Sequence, residues 1–349
     1  MDPISAQTVL AAAGAGGGGG ATGTVVAAGH STSPYISVYD WDSGFGSKYS
    51  DPSTTPTGTG RGVAFSPDGN DIVVAHETSP YVSAYPFSSS GFGSKYSDPS
   101  SSITGSGLSV AFSPDGNNVA IAHSNNPAIT AYAWSSGFGS KYSNPSTLPA
   151  GAGQGVAFSS DGNLIAVAHQ NDPRVTVYPW SSGFGTKYSN PSSLAPSFAN
   201  AVAFSPDDNH IAIGHNNSPF VTAYNWSSSG FGSKHSDPST SLPSTGRALV
   251  FSPDGNAIFI AHHGSPYVTA FAWSSSGFGS KYSNPSTLMP GTARGLGFSS
   301  DGNDIFIAHS SSPYISAYPW SSGWGTKYGN PSTLPTGTGR SIAFFSPAE

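Results

Sequence analysis

Seven histidines, each closing a short apolar stretch, recur at His30, His76, His123, His169, His215, His262 and His309, 46 or 47 residues apart. The lysines Lys48, Lys95, Lys141, Lys187, Lys234, Lys281 and Lys327 keep the same register, and these seven are all the lysines in the chain. Each unit also contains Asp-Pro or Asn-Pro, from Asp51-Pro52 to Asn330-Pro331. A repeat of this length is one supersecondary unit that must bury its apolar face against its neighbours. The 349 residues are therefore read as an array of seven like units.

Within a unit the pattern is all β. Val63-Ala64-Phe65 makes a short apolar strand that ends at Ser66-Pro67-Asp68-Gly69-Asn70. In that turn proline presets φ, and Gly-Asn accepts a positive φ. Ile72 to His76 is a second strand, apolar on both faces as a covered strand should be. After Glu77-Thr78-Ser79-Pro80 comes a third strand, Tyr81 to Phe87, with aromatics at period two. Pro86 removes a hydrogen-bond donor near its end. Phe92 to Tyr96 is a polar fourth strand, and its lysine suits an outer edge that must not pair with another sheet. A Ser/Thr/Gly/Pro loop leads to the next unit, and no segment has a helical period.

Four strands with a buried inner pair and a lysine-bearing outer strand describe a propeller blade. The stretch Ala64 to Asn70, repeated at Ala111 to Asn117 and in looser form at Phe158, Phe204, Phe251 and Phe298, resembles the first hairpin of WD40-type repeats. Tyr39-Asp40-Trp41-Asp42 is similar to the end of the WD40 third strand. The usual Trp-Asp pair is Trp-Ser in most copies, as at Trp134-Ser135 and Trp180-Ser181, and no copy has the Gly-His pair before the first strand. The family's buried hydrogen-bond set is therefore not carried over. The N-terminal copy starts at its second strand, Val25 to His30, and the C-terminal segment Ser341 to Pro347 is a first strand with nothing after it. These ends complete one blade. The expectation is an all-β, seven-bladed propeller over residues 23–349, with four-stranded blades, closed by the C-terminal strand.

Composition removes several functions. With no cysteine, disulfide scaffolds and thiolate zinc sites are impossible. No run approaches the ~18 apolar residues of a membrane helix, and a net charge of −6 argues against nucleic acid as a partner. Residues 1–22 stand outside the repeat as an Ala/Gly-rich arm. The first basic residue other than His30 is Lys48, so the arm lacks the basic region of a signal peptide. It is read as either a disordered leader or an anchor that orders on a neighbour. It resembles the leaders of some bacteriophage virion proteins.

One histidine per blade spreads the imidazoles around a wide circle, whereas zinc ligands converge within roughly 2.1 Å of one ion. Each histidine is instead expected to bond the Ser/Thr/Asn-rich turn after it, and neither a metal nor a cofactor is expected. Catalysis needs dissimilar groups around one substrate, and near-identical blades give rings of identical groups. The propeller fold also brings to mind lactonases and related hydrolases. That resemblance implies metal held at the axis by carboxylates and amides, yet the only glutamates here are Glu77 and Glu349. No enzyme activity is expected.

One position breaks the repeat. Four residues before the first-strand phenylalanine stand Arg61, Leu108, Gln154, Asn200, Arg247, Arg294 and, in the last copy, Arg340. Once the ring closes, Arg61, Arg247, Arg294 and Arg340 fall on consecutive blades at one channel mouth. Guanidinium groups there either hold a carboxylate or phosphate or cap loop carbonyls. The repeated aromatics, such as Tyr132/Trp134, are read as inter-blade packing, with a lectin of one sugar site per blade as the alternative. Taken together, these features predict a non-enzymatic recognition protein. The setting expected is a bacteriophage virion surface, tail-associated or head-decorating, in several copies. The arm would contact other virion proteins, and the ligand would be anionic or a glycan. A cytoplasmic scaffold is the further alternative.

Overall fold

The computed structural model describes residues 23–347. The N-terminal arm lies outside them. The described chain forms seven antiparallel sheets and contains no helix. Each sheet is a blade. The innermost strands run Gly60–Phe65, Gly107–Phe112, Gly153–Phe158, Ala199–Phe204, Gly246–Phe251, Ala293–Phe298 and Gly339–Phe345. Each packs on the innermost strands of the two neighbouring blades, and the series returns on itself. The ring is closed as expected: Gly339–Phe345 pairs antiparallel with Val25–His30, and Val25 stands opposite Phe345. We number the blades from this composite one.

Alternation of strand direction divides the ends of the strands between two faces. One face carries the turns between first and second strands. In six blades that turn is a repeated device: Ser113 Oγ donates to Asp115 Oδ1, the Asn117 backbone N–H donates to the same oxygen at 3.0 Å, and Asn118 N–H donates to Ser113 Oγ at 3.0 Å. We call this the turn face. The opposite face carries the turns between second and third strands and the long loops between blades. We call it the loop face.

The blades are held together by aromatic side chains near their outer half. Trp134 of blade three donates its indole N–H to Asp71 of blade two at 2.9 Å, and Tyr96 O–H donates to the other carboxylate oxygen at 2.7 Å. Trp41 and Tyr328 treat Asp304 in the same way across the closing interface, at 3.1 and 2.8 Å. Edge-to-face contacts such as Trp320 on Phe259, 4.5 Å between centroids, continue the pattern. The repeated aromatics thus bury apolar area between blades while their polar tips find partners.

The outer strand is less regular than the repeat suggests. It runs four or five residues in blades one, three, five and six, only Gly91–Phe92 in blade two, and shrinks to a single bridge in blades four and seven. The three weak blades are those with Pro86, Pro179 and Pro319 near the end of the third strand. Proline has no N–H to give the ladder. In these blades its carbonyl instead accepts from the N–H of Gly93, Gly185 or Gly325 at 2.8 Å.

The seven histidines do not bond only to the turn that follows. Each Nε2 crosses to a hydroxyl on the third strand seven residues on: His30 to Ser37, His76 to Ser83, His123 to Thr130, His169 to Thr176, His215 to Thr222, His262 to Thr269 and His309 to Ser316, at 2.8–3.1 Å. These imidazoles are fully buried. Burial pushes each of them down to about 4. Among the described residues no three metal-ligating side chains converge.

Candidate ligand-binding mouth

Each innermost strand starts with a β-bulge. Gly60 pairs with His76 and Gly62 with Ala75, so Arg61 is the extra residue. The same shift sets apart Arg340, Leu108, Gln154, Asn200, Arg247 and Arg294. A bulged residue leaves the ladder and has its side chain re-aimed. The seven extra residues therefore form a ring at the loop-face ends of the innermost strands. Arg247, Arg294, Arg340 and Arg61 occupy blades six, seven, one and two in unbroken order.

The next position inward is always small: Ser341, Gly62, Ser109, Gly155, Ala201, Ala248 and Gly295. There is a steric reason. A Cβ on Gly295 would meet Ser341 Cα at 2.8 Å, and one on Gly62 would meet Ser109 Cα at 3.0 Å. Neighbouring inner strands close in at this level, which gives the mouth a floor.

The four arginines differ. Arg61 is 4% exposed and its Nε donates to Glu77 Oε1 at 2.7 Å, with a second contact from the other end of the guanidinium. Capping of loop carbonyls is one expectation for this residue, but a carboxylate sixteen positions on holds it. Asn200 shows the same relation, donating to Asn216 Oδ1 at 2.9 Å and also to Gly246 O of the next blade at 2.8 Å. Glu77 and Asn216 each follow the histidine that ends the second strand. The corresponding positions abreast of Arg247, Arg294 and Arg340 are His263, Ser310 and Ser31. Arg247 is 7% exposed, whereas Arg294 and Arg340 are half-buried. Around one half of the mouth stand guanidinium groups, an imidazole and hydroxyls. Around the other stand Leu108, Gln154 and Asn200.

This asymmetry corrects the argument from identical blades. The repeat is faithful where a blade must be built and diverges at the bulge and at the turn beside it. Dissimilar groups therefore share one ring of bulge positions. Glu77, His263 and the turn residues were not found from sequence, because their proximity to the bulge spans sixteen residues across a turn. The available signal was their departure from the repeat at a fixed offset from the arginines.

No protein-family model matches the chain, and no curated protein does. Solved structures resemble it in fold. A periplasmic gluconolactonase of Pseudomonas aeruginosa is 16% identical, with a TM-score of 0.72 over 93% of this chain and 100% of that one. A candidate 6-phosphogluconolactonase of Bacteroides uniformis is 14% identical, with a TM-score of 0.68 over 92% and 99%. The hydrazine synthase of Kuenenia stuttgartiensis is 14% identical, with a TM-score of 0.63 over 82% and 90%. At these identities the likeness establishes the seven-bladed propeller and nothing finer. The WD40 resemblance is thereby reduced to the propeller itself. The expectation of a non-enzymatic virion protein is overturned, because the propellers this chain resembles include proteins named as sugar lactonases. No helix of the described residues is long and apolar enough to cross a membrane.

Proposed function

We propose that the loop-face mouth binds an anionic sugar derivative, and that the protein acts there on a sugar-acid lactone. The observation that carries this reading is the run of Arg247, Arg294, Arg340 and Arg61 on four consecutive blades. Lactone hydrolysis places negative charge on the carbonyl oxygen in the transition state and leaves a carboxylate in the product. Preorganised donors aimed at such charge lower the barrier, and guanidinium groups hold a carboxylate or phosphate with two parallel bonds. His263, abreast of Arg247, is the residue assigned to take the proton of the attacking water. The tetrahedral intermediate then collapses with cleavage of the ring C–O bond to give the carboxyl group, and the departing alkoxide takes the proton back from His263 to become the hydroxyl of the open-chain acid. The names of the similar propellers support the same chemistry.

The test is acid release from glucono-1,5-lactone and its 6-phosphate, followed in a pH-stat against the spontaneous rate. The wild-type chain is expected to accelerate release. The double variant Arg294→Gln/Arg340→Gln is expected to lose at least about tenfold, the equivalent of ~1.4 kcal/mol of transition-state stabilisation. Release no faster than the spontaneous rate on both lactones would reject the reading.

A further inference from the structure

The blades that carry ring arginines also carry aromatic residues at the neighbouring turns. We infer that the mouth selects the ring form of a sugar acid, with the ring face on Tyr267 and Tyr314 and the anionic group on Arg294 and Arg340. This rests on the mouth being an anion site, and it adds the form of the ligand.

The residue after the proline in each loop-face turn is Tyr35, Tyr81, Ala128, Arg174, Phe220, Tyr267 or Tyr314, and all seven have φ of 69–74°. That is the left-handed region, which costs a bulky side chain and suits glycine or asparagine. Ala128 and Arg174 occupy it too, so the turn itself does not call for an aromatic. In the five blades whose bulge opens with glycine, the preceding turn presses on that bulge. A Cβ on Gly60 would meet Tyr35 O, one on Gly246 would meet Phe220 O, and one on Gly339 would meet Tyr314 O, all at 2.3 Å.

Around the ring an aromatic therefore precedes every arginine: Phe220 before Arg247, Tyr267 before Arg294, Tyr314 before Arg340 and Tyr35 before Arg61. Beyond this arc the pairs are Tyr81 with Leu108, Ala128 with Gln154 and Arg174 with Asn200. The five aromatics are half-buried, so part of each stays open to solvent. Phe220, Tyr267 and Tyr81 lean on the apolar core with part of their surface, but among the described residues none of the five joins the ring-on-ring contacts that pack the blades, which use Trp41, Tyr96, Trp134 and their equivalents.

A pyranose or lactone ring has a flat face of C–H bonds that can lie on an aromatic ring, while its acid group projects from the edge. An open-chain acid has no such face. Alternating aromatic and guanidinium groups therefore favour the cyclic acid over its ring-opened form.

Calorimetric titration of the full chain with glucuronate (a cyclic acid), gluconate (an open-chain acid) and inorganic phosphate tests the inference. Glucuronate is expected to bind tightest. Tyr267→Leu and Tyr314→Leu keep an apolar cover but remove the aromatic face. Each is expected to weaken glucuronate roughly fivefold and to leave phosphate within about twofold, while Tyr314→Phe retains the preference. Arg294→Gln and Arg340→Gln should weaken all three probes. Leucine variants that bind glucuronate like the wild type, or that weaken all three probes equally, would overturn the inference. The anion site would still stand if the arginine variants behaved as stated. Arginine variants without effect on any probe would remove both.

Discussion

The two faces of the ring have been kept to different standards. On the turn face, six blades repeat one Ser–Asp–Asn device almost atom for atom, and Asp68, Asp115, Asp161, Asp207, Asp254 and Asp301 are all exposed. On the loop face, the bulge and the turn beside it change from blade to blade, and charge gathers on one arc. Repetition marks what every blade needs in order to form. Divergence on a repeated scaffold marks where the blades have separate tasks, here at bulge positions that are mostly buried.

The comparison breaks most completely if closure is removed. Deleting residues 339–349 takes the innermost strand from blade one and exposes both the second strand and the flanking blade surfaces. The loss should exceed the ~5–15 kcal/mol margin of an ordinary domain. Calorimetry should then show no cooperative transition, and light scattering should show aggregation. A deletion variant that stays monomeric and melts like the wild type would mean that the ring does not depend on its last strand.

Acid should come next, acting on all blades alike. The buried histidines have folded-state values near 4 against about 6.5 when unfolded. The unfolded chain binds more protons between these values. Stability is therefore full above pH ~6.5 and falls as the pH drops toward 4. At pH 5 each histidine costs about 2 kcal/mol, and seven together rival the whole margin. Thermal melts across this range should fall steeply. A melting temperature flat from pH 7 to 4.5 would mean that the histidines are not buried as described.

A single inter-blade contact should matter less. Asp71→Ala leaves the Tyr96 hydroxyl and the Trp134 indole without their acceptor, and should cost about 2–4 kcal/mol. Binding at the mouth should be unchanged, because Asp71 begins the second strand at the turn face. Loss of glucuronate affinity at full occupancy of the fold would show that the faces are coupled.

The smallest effects sharpen the contrast between faces. Asp115→Asn should lower stability by about 1 kcal/mol and leave ligand binding alone. Arg340→Gln should lower anion affinity and leave the melting temperature within about 1–2 °C. Exchanged outcomes, with the turn variant impairing binding and the arginine variant impairing stability, would invert the assignment of tasks to faces.

Much of this was legible in the chain itself, for a physical reason. Strand period, turn chemistry and closure are local or repeated signals, so Val63 to Phe65, the Ser-Pro-Asp-Gly-Asn turn and the pairing of the two terminal strands could be read directly. The consecutive placing of Arg247, Arg294, Arg340 and Arg61 followed from closure alone. What was not legible depended on contacts between segments: Glu77 on Arg61, the histidine reaching Ser83 or Thr130 across a strand pair, and Tyr314 against the bulge of the next blade. The shortened outer strands at Pro86, Pro179 and Pro319 had a visible cause, but its extent depended on how the following glycine could turn. The expectation of no enzyme activity came from weighing the repeat, and from reading the arginines that break it only as an anion clamp or as caps on loop carbonyls.

The closing pair has a mechanical consequence. Val25 and Phe345 are partners at the same end of an antiparallel ladder, and close beside them Thr24 Oγ1 and Ser346 Oγ lie 3.3 Å apart. A force that draws these two points apart does not shear the ladder, where all rungs would share the load. It peels the ladder from the turn face, one rung at a time, from Val25 and Phe345 toward His30 and Gly339. A ring of seven interlocked blades therefore has one seam that a pull on these two points can unzip.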